Sequence, residues 1–412
     1  MTTGFNLSTV FATVAAAVPD QEVLVHGGLR LTYTQVEQHA DGLARFLASR
    51  GLGCHTERDA LAGHESGQDH VGLYLYNGPE YLEAMIASYR ARAVPVNVNY
   101  RYVAEELAYI LVDAGTRALV FHSCFADQVA GVRDQVPTLD VLVQVPDDSG
   151  ADLLPGAVWW DDAVGTPAGA ATLPEPTGDD LYVVYTGGTT GMPKGVLWRQ
   201  DDMYVTSMGG TPFGTTEPYE SYDAIAENAR NAGGGMTLLM ALPFMHGAAQ
   251  WSTFHMITSG GKIVLPEDVR SFDADAVLRT VIRGGVDHAR LGRRVGEEVT
   301  VVEPAAGDHG DGVETGRKRE RRRHAQRTVG RHDHVEWDLG SYRLRLDGDR
   351  RERRRRGAQG DAVLRHPAVV DAHREHVRLV DLAISVGVGV CADRIVPERS
   401  HHGRPGIAFV LA

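Results

Sequence analysis

Apolar and polar positions follow two periods along the first two thirds of the chain. Short apolar runs, typical of buried strands, occur at 71–76, 94–98, 118–121, 141–145 and 181–185. Between these runs, apolar residues recur every three or four positions, as on a helix with one buried face. This alternation of strands and helices predicts an α/β fold with mainly parallel sheets flanked by helices.

Several helix ends can be predicted from single residues. Thr34 and Glu37 have the spacing of a capping box, so we expect Thr34 to be the N-cap of a helix that ends at Gly51. Pro79 is suited to the first turn of the next helix, because a proline there loses no helical hydrogen bond. A third helix is expected to end at Gly115.

The pattern changes after about Arg283. Residues 284–412 carry 25 of the 41 Lys and Arg residues, so this part is basic although the net charge of the chain is −13. Apolar residues are sparse between Gly307 and Gly360, where little hydrophobic core can form. We therefore divide the chain into a domain at residues 1–283 and an atypical Arg-rich tail at residues 284–412, which we expect to be irregular or disordered.

Three interpretations of the tail are open. Arginine runs neutralise phosphates in nucleic-acid-binding arms, and a divergent lid domain is a second interpretation. We favour the third, translation out of frame, because 38 Arg against 3 Lys indicates a GC-rich gene, whose shifted frames yield Arg-rich segments without a hydrophobic period. We then expect no nucleic-acid partner and no normal C-terminal lid domain. Translating the gene in its other two frames tests this interpretation.

Length, cysteine content and the distribution of apolar residues indicate what kind of protein this is. A chain of 412 residues is long enough for two or three domains with their own cores. Three scattered cysteines, Cys54, Cys124 and Cys391, are too few for a disulfide framework or a zinc cluster, which fits a reducing cytoplasm. The N-terminus has no signal-peptide pattern, and no apolar run approaches the ~20 residues of a membrane span. We therefore expect a cytoplasmic protein with no transmembrane segment.

One loop carries most of the candidate chemistry. It lies between the apolar runs at 181–185 and 196–198 and combines glycines, threonines and a lysine. The glycines allow successive backbone N–H groups to converge on an anion, while the threonine hydroxyls and the lysine ammonium add further donors. The loop is therefore predicted to hold a polyphosphate. Its candidate binding residues are Thr186, Gly187, Gly188, Thr189, Thr190, Gly191 and Lys194.

Other phosphate-binding patterns do not fit this loop. The P-loop pattern needs Ser or Thr directly after its Gly-Lys pair, whereas Lys194 lies between Pro193 and Gly195. The dinucleotide fingerprint needs alternating glycines at its start, and the loop does not have them. An ordinary Gly- and Thr-rich hairpin turn is the remaining alternative, although a simple turn rarely carries so many hydroxyls and a lysine.

The loop resembles the phosphate-binding signature of the AMP-forming acyl-CoA synthetases, in the adenylate-forming superfamily. Residues 73–115 resemble a second block of that family, most clearly at 93–102, and residues 242–251 resemble a stretch beside its acyl pocket. The resemblance implies that ATP activates a fatty or related carboxylic acid to an acyl-adenylate and then to a CoA thioester. It implies the use of ATP, Mg²⁺ and CoA. It also makes His246 a candidate for lining the acyl or CoA path, with a purely structural role as the alternative.

Motifs that the family carries further along are missing from residues 284–412. We find no Tyr-Gly-x-Thr-Glu segment, whose ring would stack on adenine and whose Glu would hold Mg²⁺, and no Pro-Lys-x-x-x-Gly-Lys segment. The catalytic residues and metal ligands therefore stay unassigned, and we expect impaired family activity in this chain. Two alternatives are a catalytically inactive remnant that at most binds nucleotide, and an acyl-AMP ligase that loads a carrier protein.

Overall fold

The computed structural model describes residues 4–186, 192–212, 215–234 and 236–270, with Thr280 and three short strands at 288–290, 334–338 and 343–347. The helices are α1 (Leu7–Ala17), α2 (Tyr33–Ser49), α3 (Pro79–Arg90), α4 (Ala104–Asp113), α5 (Ala126–Val132), α6 (Trp160–Val164), α7 (Gln200–Ser207), α8 (Tyr222–Asn231) and α9 (Gly247–Thr258). The strands are β1 (Glu22–His26), β2 (Leu29–Thr32), β3 (His70–Tyr74), β4 (Val94–Asn97), β5 (Thr116–His122), β6 (Val141–Val145), β7 (Ala157–Trp159), β8 (Leu181–Thr186), β9 (Lys194–Arg199), β10 (Thr237–Met240), β11 (Lys262–Leu265), β12 (His288–Arg290), β13 (His334–Asp338) and β14 (Arg343–Asp347).

The first of two five-stranded sheets joins distant parts of the chain. β1 pairs with β2 in the antiparallel sense and with β11 in parallel, where Leu24 lies opposite Ile263. β10 pairs in parallel with β11 on one side and with β12 on the other. The strand order is therefore β12-β10-β11-β1-β2.

The second sheet is parallel throughout and is built from consecutive chain. Its order is β4-β3-β5-β6-β7, with β3 between β4 and β5. β8 and β9 form a separate antiparallel pair. Since helices separate most of these strands along the chain, the predicted α/β class with mainly parallel sheets is confirmed.

Helix α3 lies in the middle of the larger hydrophobic core. Every one of its residues except Glu80 is buried, and it packs against α1, α2, β3 and β4. Its two buried charged groups are compensated, because Glu83 contacts His39 at 2.8 Å and Arg90 contacts Glu37 at 2.7 Å. Among the described residues, no helix is both long enough and apolar enough to cross a membrane.

The start of α2 differs from the prediction, whereas the predicted helix ends are confirmed. Thr32, not Thr34, is the N-cap: its hydroxyl accepts the N–H of Gln35, and Gln35 Oε1 accepts the N–H of Thr32. Ladder pairing of β2 continues to Thr32, so the helix follows the strand directly. Gly51 and Gly115 come directly after the C-cap residues of α2 and α4, and both have positive φ.

Beyond residue 283, the described backbone consists of three strands. β12 forms the outer strand of the first sheet, and β13 pairs with β14 in the antiparallel sense. All other residues of 284–412 lie outside the described part of the chain. The division of the chain at residue 283 and the out-of-frame interpretation of the tail therefore stay predictions.

The side chain of His122, at the end of β5, gives the fold a dependence on pH. Its Nδ1 accepts the backbone N–H of Tyr76 at 3.1 Å. Burial lowers the pKa of His122 to about 4, and the negative charge of Asp147 opposes this effect only in part. Because histidine in the unfolded chain has a pKa of about 6.5, the neutral ring stabilises the fold above that pH. This stabilisation is lost as the pH falls towards 4.

Replacing His122 with glutamine is expected to weaken this pH dependence. Between pH 7 and pH 4, the free energy of unfolding should fall by on the order of 2–3 kcal/mol more in the unmodified chain than in His122→Gln. Urea denaturation at a series of pH values measures this difference. His64→Gln is the control, since His64 is exposed. Equal pH dependence in the unmodified chain and His122→Gln would contradict the prediction.

Candidate functional site

The predicted phosphate-binding loop joins the two strands of the β8–β9 hairpin. Thr186 is the last residue of β8 and lies opposite Lys194, the first residue of β9. The predicted residues at the tip, Gly187, Gly188, Thr189, Thr190 and Gly191, lie outside the described residues. The structure therefore defines both ends of the loop.

The side chains of Thr186 and Lys194 lie on the same face of the hairpin, because opposite residues of an antiparallel pair share a face. Both residues are exposed. Within the part of the chain that the structure describes, the Lys194 ammonium has no ion-pair partner. The end of the hairpin thus presents a hydroxyl and an uncompensated positive charge side by side, which suits an anionic ligand.

Helix α4 holds both strands of the hairpin from the opposite face. The ring of Tyr185 lies against Gly195, where a Cβ atom would come within 2.8 Å of the ring, so this position requires glycine. The Tyr185 hydroxyl donates to Asp113 at 2.9 Å, and the Tyr109 hydroxyl donates to the carbonyl oxygen of Pro193 at 3.2 Å. Two contacts from one helix therefore position the entry and the exit of the loop.

The side chain of Asn97, at the end of β4, connects the hairpin to a second segment. Its Oδ1 accepts the backbone N–H of Tyr185 at 2.8 Å, and its Nδ2 donates to the Tyr185 carbonyl at 3.0 Å. The same Nδ2 donates to the carbonyl of Met245 at 2.7 Å. Tyr185 directly precedes Thr186, and Met245 directly precedes His246. One buried amide therefore fixes the backbone next to both predicted parts of the site.

A second asparagine fixes the segment at 242–246 from the other side. Asn77 Nδ2 donates to the carbonyl of Leu242 at 2.8 Å, and its Oδ1 accepts the N–H of Phe244 at 2.7 Å. The ring of Phe244 packs on that of Tyr81 in α3, with 5.5 Å between ring centroids. The segment before α9 is therefore held by side chains from the core of the domain.

A buried polar chain also joins β8 to α9. The Tyr182 hydroxyl donates to Gln250 Oε1 at 2.7 Å and accepts from Trp251 Nε1 at 3.0 Å. Gln250 Nε2 in turn donates to the carbonyl of Phe244 at 2.8 Å. Because side chains alternate along a strand, Tyr182 and Thr186 lie on the same face of β8. Thr186 and Lys194 therefore lie on the face of the hairpin that packs against α9.

His246 is the N-cap residue of α9, and its side chain makes no capping hydrogen bond. The residue as a whole is exposed, but neighbouring protein atoms displace water from its ring. This desolvation lowers the pKa of His246, and the positive charge of Arg101 lowers it further. The imidazole is therefore neutral near pH 7, with one ring nitrogen able to accept and one able to donate a hydrogen bond.

The described residues offer no site for the Mg²⁺ that the resemblance implies. None of their His, Cys, Asp and Glu side chains form a group of three or more that could hold a metal ion. Asp113, which contacts the hairpin from α4, already accepts a hydrogen bond from the Tyr185 hydroxyl. No metal ligand is therefore assigned among the described residues.

The structure brings Thr186, Lys194 and His246 to one region through residues that the sequence did not single out. Asn97 lies in the block at 93–102, none of whose residues was predicted to belong to the site. A polar residue at the end of an otherwise apolar strand was the available signal. Asn77 had no comparable signal, because its partners are backbone groups far away in sequence. Gln250 had none either, since the Tyr182 hydroxyl that it accepts from lies in a distant strand.

A family model and the sequences of known proteins place the chain in the same family. A family model described as AMP-binding enzyme matches residues 11–309. The medium-chain acyl-CoA ligase Mig of Mycobacterium avium is 50% identical over 285 residues, which cover 68% of this chain and 51% of that protein. A medium/long-chain-fatty-acid--CoA/3-oxocholest-4-en-26-oate--CoA ligase of Mycobacterium marinum is 36% identical over 287 residues, 68% of this chain and 49% of that protein. The chain thus spans about half the length of the curated relatives it matches.

Solved structures agree on the fold. The N-terminal domain of FACL13 from Mycobacterium tuberculosis superposes with a TM-score of 0.53 at 22% identity, covering 69% of this chain and 62% of that one. The anthranilate CoA ligase AuaEII, in complex with anthranoyl-AMP, gives a TM-score of 0.54 at 19% identity, covering 69% and 49%. At these identities the similarity concerns the arrangement of sheets and helices alone.

Proposed function

The chain belongs to the AMP-binding enzyme family, and on that premise we propose that it carries the nucleotide-phosphate site of an acyl-CoA ligase. The proposed reaction activates a fatty or related carboxylic acid. Its carboxylate oxygen attacks the α-phosphorus of ATP and releases pyrophosphate. The CoA thiol then attacks the carbonyl carbon of the acyl-adenylate and releases AMP.

The end of the β8–β9 hairpin is the observation that carries this proposal. Thr186 and Lys194 lie opposite each other on one face, both exposed, where the loop begins and ends. We assign the β- and γ-phosphates of ATP to this loop, with Gly187, Gly188, Thr189, Thr190 and Gly191 supplying the remaining donors. Neutralising the negative charge of the β- and γ-phosphates stabilises the pyrophosphate as it leaves. Holding these phosphates fixed keeps the α-phosphorus in line with the attacking carboxylate oxygen.

We assign His246 to the acyl or CoA path. Support comes from its position one residue after Met245, which Asn97 ties to the hairpin, and from its neutral, exposed ring. A neutral imidazole can donate a hydrogen bond without pairing strongly with the substrate carboxylate. His246 is thus proposed to orient the acid or the thiol without holding it as an ion pair.

The relatives suggest the class of acid. The names of two related ligases specify medium-chain acyl groups and 3-oxocholest-4-en-26-oate, a steroid acid. We therefore propose an aliphatic or steroid side-chain acid for this chain. An acyl-AMP ligase that loads a carrier protein is the second candidate, because a nonribosomal peptide synthetase of Salinispora arenicola is also 28% identical over 203 residues.

Two measurements on the purified full chain test the proposal in sequence. Isothermal titration with MgATP tests the phosphate site, and absence of binding would contradict it. Carboxylate-dependent exchange between ATP and pyrophosphate then tests adenylation. Since downstream motifs are missing from residues 284–412, we expect binding with little or no exchange. Robust exchange would show that the chain carries out adenylation without those motifs. With exchange present, thioester formation on added CoA separates the ligase from the carrier-loading alternative.

A further inference from the structure

We infer that Asn97 is a positioning residue that couples the phosphate-binding hairpin to the segment before His246, so that a ligand held at the hairpin orders that segment. The inference rests on the proposed function for its ligand. It adds a role for a residue that is buried and whose side chain binds backbone groups of both segments. The coupling links two parts of the site that are more than fifty residues apart in sequence.

The hydrogen-bonding capacity of Asn97 is the first argument. A side-chain amide has two N–H donors, and Asn97 gives one to Tyr185 and the other to Met245. Its Oδ1 accepts the Tyr185 N–H, so the amide pairs with Tyr185 as the backbone of a neighbouring strand would. The orientation of the amide is fixed, since an inverted amide would place Oδ1 against two carbonyl oxygens.

Burial is the second argument. Asn97 is 8% exposed, so water cannot readily replace a hydrogen bond that is broken here. A movement of the Tyr185 backbone must therefore carry the amide, and with it the carbonyl of Met245. The buried chain from Tyr182 through Gln250 to Phe244 supports the same segment deeper in the core. Asn97 is the contact that acts directly beside Thr186 and His246.

Asn77 offers a matched control. It holds the same segment through Leu242 and Phe244, with distances as short as those of Asn97. It is also buried, at 7% exposed, but its side-chain hydrogen bonds do not include β8. A substitution at Asn77 therefore loosens the segment without removing its connection to the hairpin.

Hydrogen–deuterium exchange on the full chain tests the coupling, with Asn97→Asp, Asn97→Ser and Asn77→Ser as variants. Without ligand, both Asn97 variants should exchange roughly five- to tenfold faster at Tyr185 and in residues 242–250. Asn77→Ser should exchange faster in residues 242–250 only. Thermal melting establishes that each variant is folded, and Asn97→Ser serves if the buried carboxylate of Asn97→Asp prevents folding.

Inorganic pyrophosphate is the ligand for the second part of the test, because it carries only the phosphate groups that the hairpin is proposed to bind and has no acyl or CoA part for the segment before α9. In the unmodified chain and in Asn77→Ser, saturating pyrophosphate should slow exchange in residues 182–198 and in residues 242–250. In the Asn97 variants it should slow exchange in residues 182–198 alone. Protection of both segments in the Asn97 variants would overturn the inference.

Failure of the proposed function has a different signature. If pyrophosphate protects neither segment in the unmodified chain, the phosphate site is wrong. The exchange rates measured without ligand then still show whether Asn97 couples the hairpin to residues 242–250. Unchanged exchange at Tyr185 in both Asn97 variants would refute it, whatever the ligand of the hairpin.

Discussion

Replacing Arg92 with methionine is expected to lower the free energy of unfolding by about 3–5 kcal/mol, the cost of leaving a buried charge unpaired. Arg92 contacts Asp180 through Nε and Nη2, at 3.0 and 2.9 Å, and Glu57 through both terminal nitrogens. Asp180 is 2% exposed and directly precedes β8. The substitution therefore destabilises the base of the hairpin that carries the candidate site.

Urea denaturation of Arg92→Met measures this loss, and its pH dependence identifies the cause. Burial raises the pKa of Asp180, and the charge of Arg92 opposes that rise. Without Arg92, the carboxyl of Asp180 takes up a proton at a higher pH in the folded chain. The loss in free energy of unfolding of Arg92→Met, relative to the unmodified chain, should therefore be largest near neutral pH and should shrink as the pH falls.

Arg199→Met is the matched control for Arg92→Met. Arg199 pairs with Asp179, but both side chains are about half exposed, so the expected loss is below ~1 kcal/mol. Equal losses for the two arginine variants would show that burial of Asp180 does not set the cost. A double variant, Arg92→Met with Asp180→Asn, should recover part of the stability, because no buried charge is left unpaired.

Replacing Lys194 with alanine is expected to weaken ATP binding by about 10- to 150-fold. This range corresponds to the loss of a hydrogen bond to a charged group, worth roughly 1.5–3 kcal/mol. Titration of the purified variant with MgATP and with pyrophosphate measures the change. Lys194→Arg keeps the charge and should lose less than Lys194→Ala.

Lys262→Ala provides a control for net charge in the binding experiment. Lys262 pairs with Glu22 at 3.4 Å in the first sheet. Its replacement removes the same charge away from the hairpin and should leave the affinity for ATP unchanged. Unchanged affinity in Lys194→Ala as well would rule out the phosphate assignment, whereas similar losses in both variants would indicate a general electrostatic effect.

Patterns with a fixed period were sufficient to predict the fold class. The runs at 94–98, 118–121 and 141–145 became β4, β5 and β6, and Pro79 begins α3 as expected. The start of α2 could not be chosen in this way, because Thr32 and Thr34 both have a capping partner three residues later. Pairing of β2 with β1 up to Thr32 decides between them, and that pairing is a tertiary contact.

The sequence predicted the part of the candidate site whose functional groups all lie in one short segment. The loop from Thr186 to Lys194 could be identified because its glycines, threonines and lysine are consecutive. The contacts that position it could not, since Asn97 and Asn77 bind backbone groups of distant segments and Gln250 accepts from the Tyr182 hydroxyl in β8. A backbone carbonyl looks the same at every position of a sequence, so only the fold determines which one an amide will reach.

The first sheet also constrains the order in which the chain folds during synthesis. β1 leaves the ribosome early, yet its parallel partner β11 begins only at Lys262, and α1 packs against the late helices α8 and α9. The second sheet, by contrast, has all its strands between His70 and Trp159. It can therefore assemble while α1 and β1 still expose their apolar faces. We expect the nascent N-terminal segment to need chaperone protection until translation has passed β11.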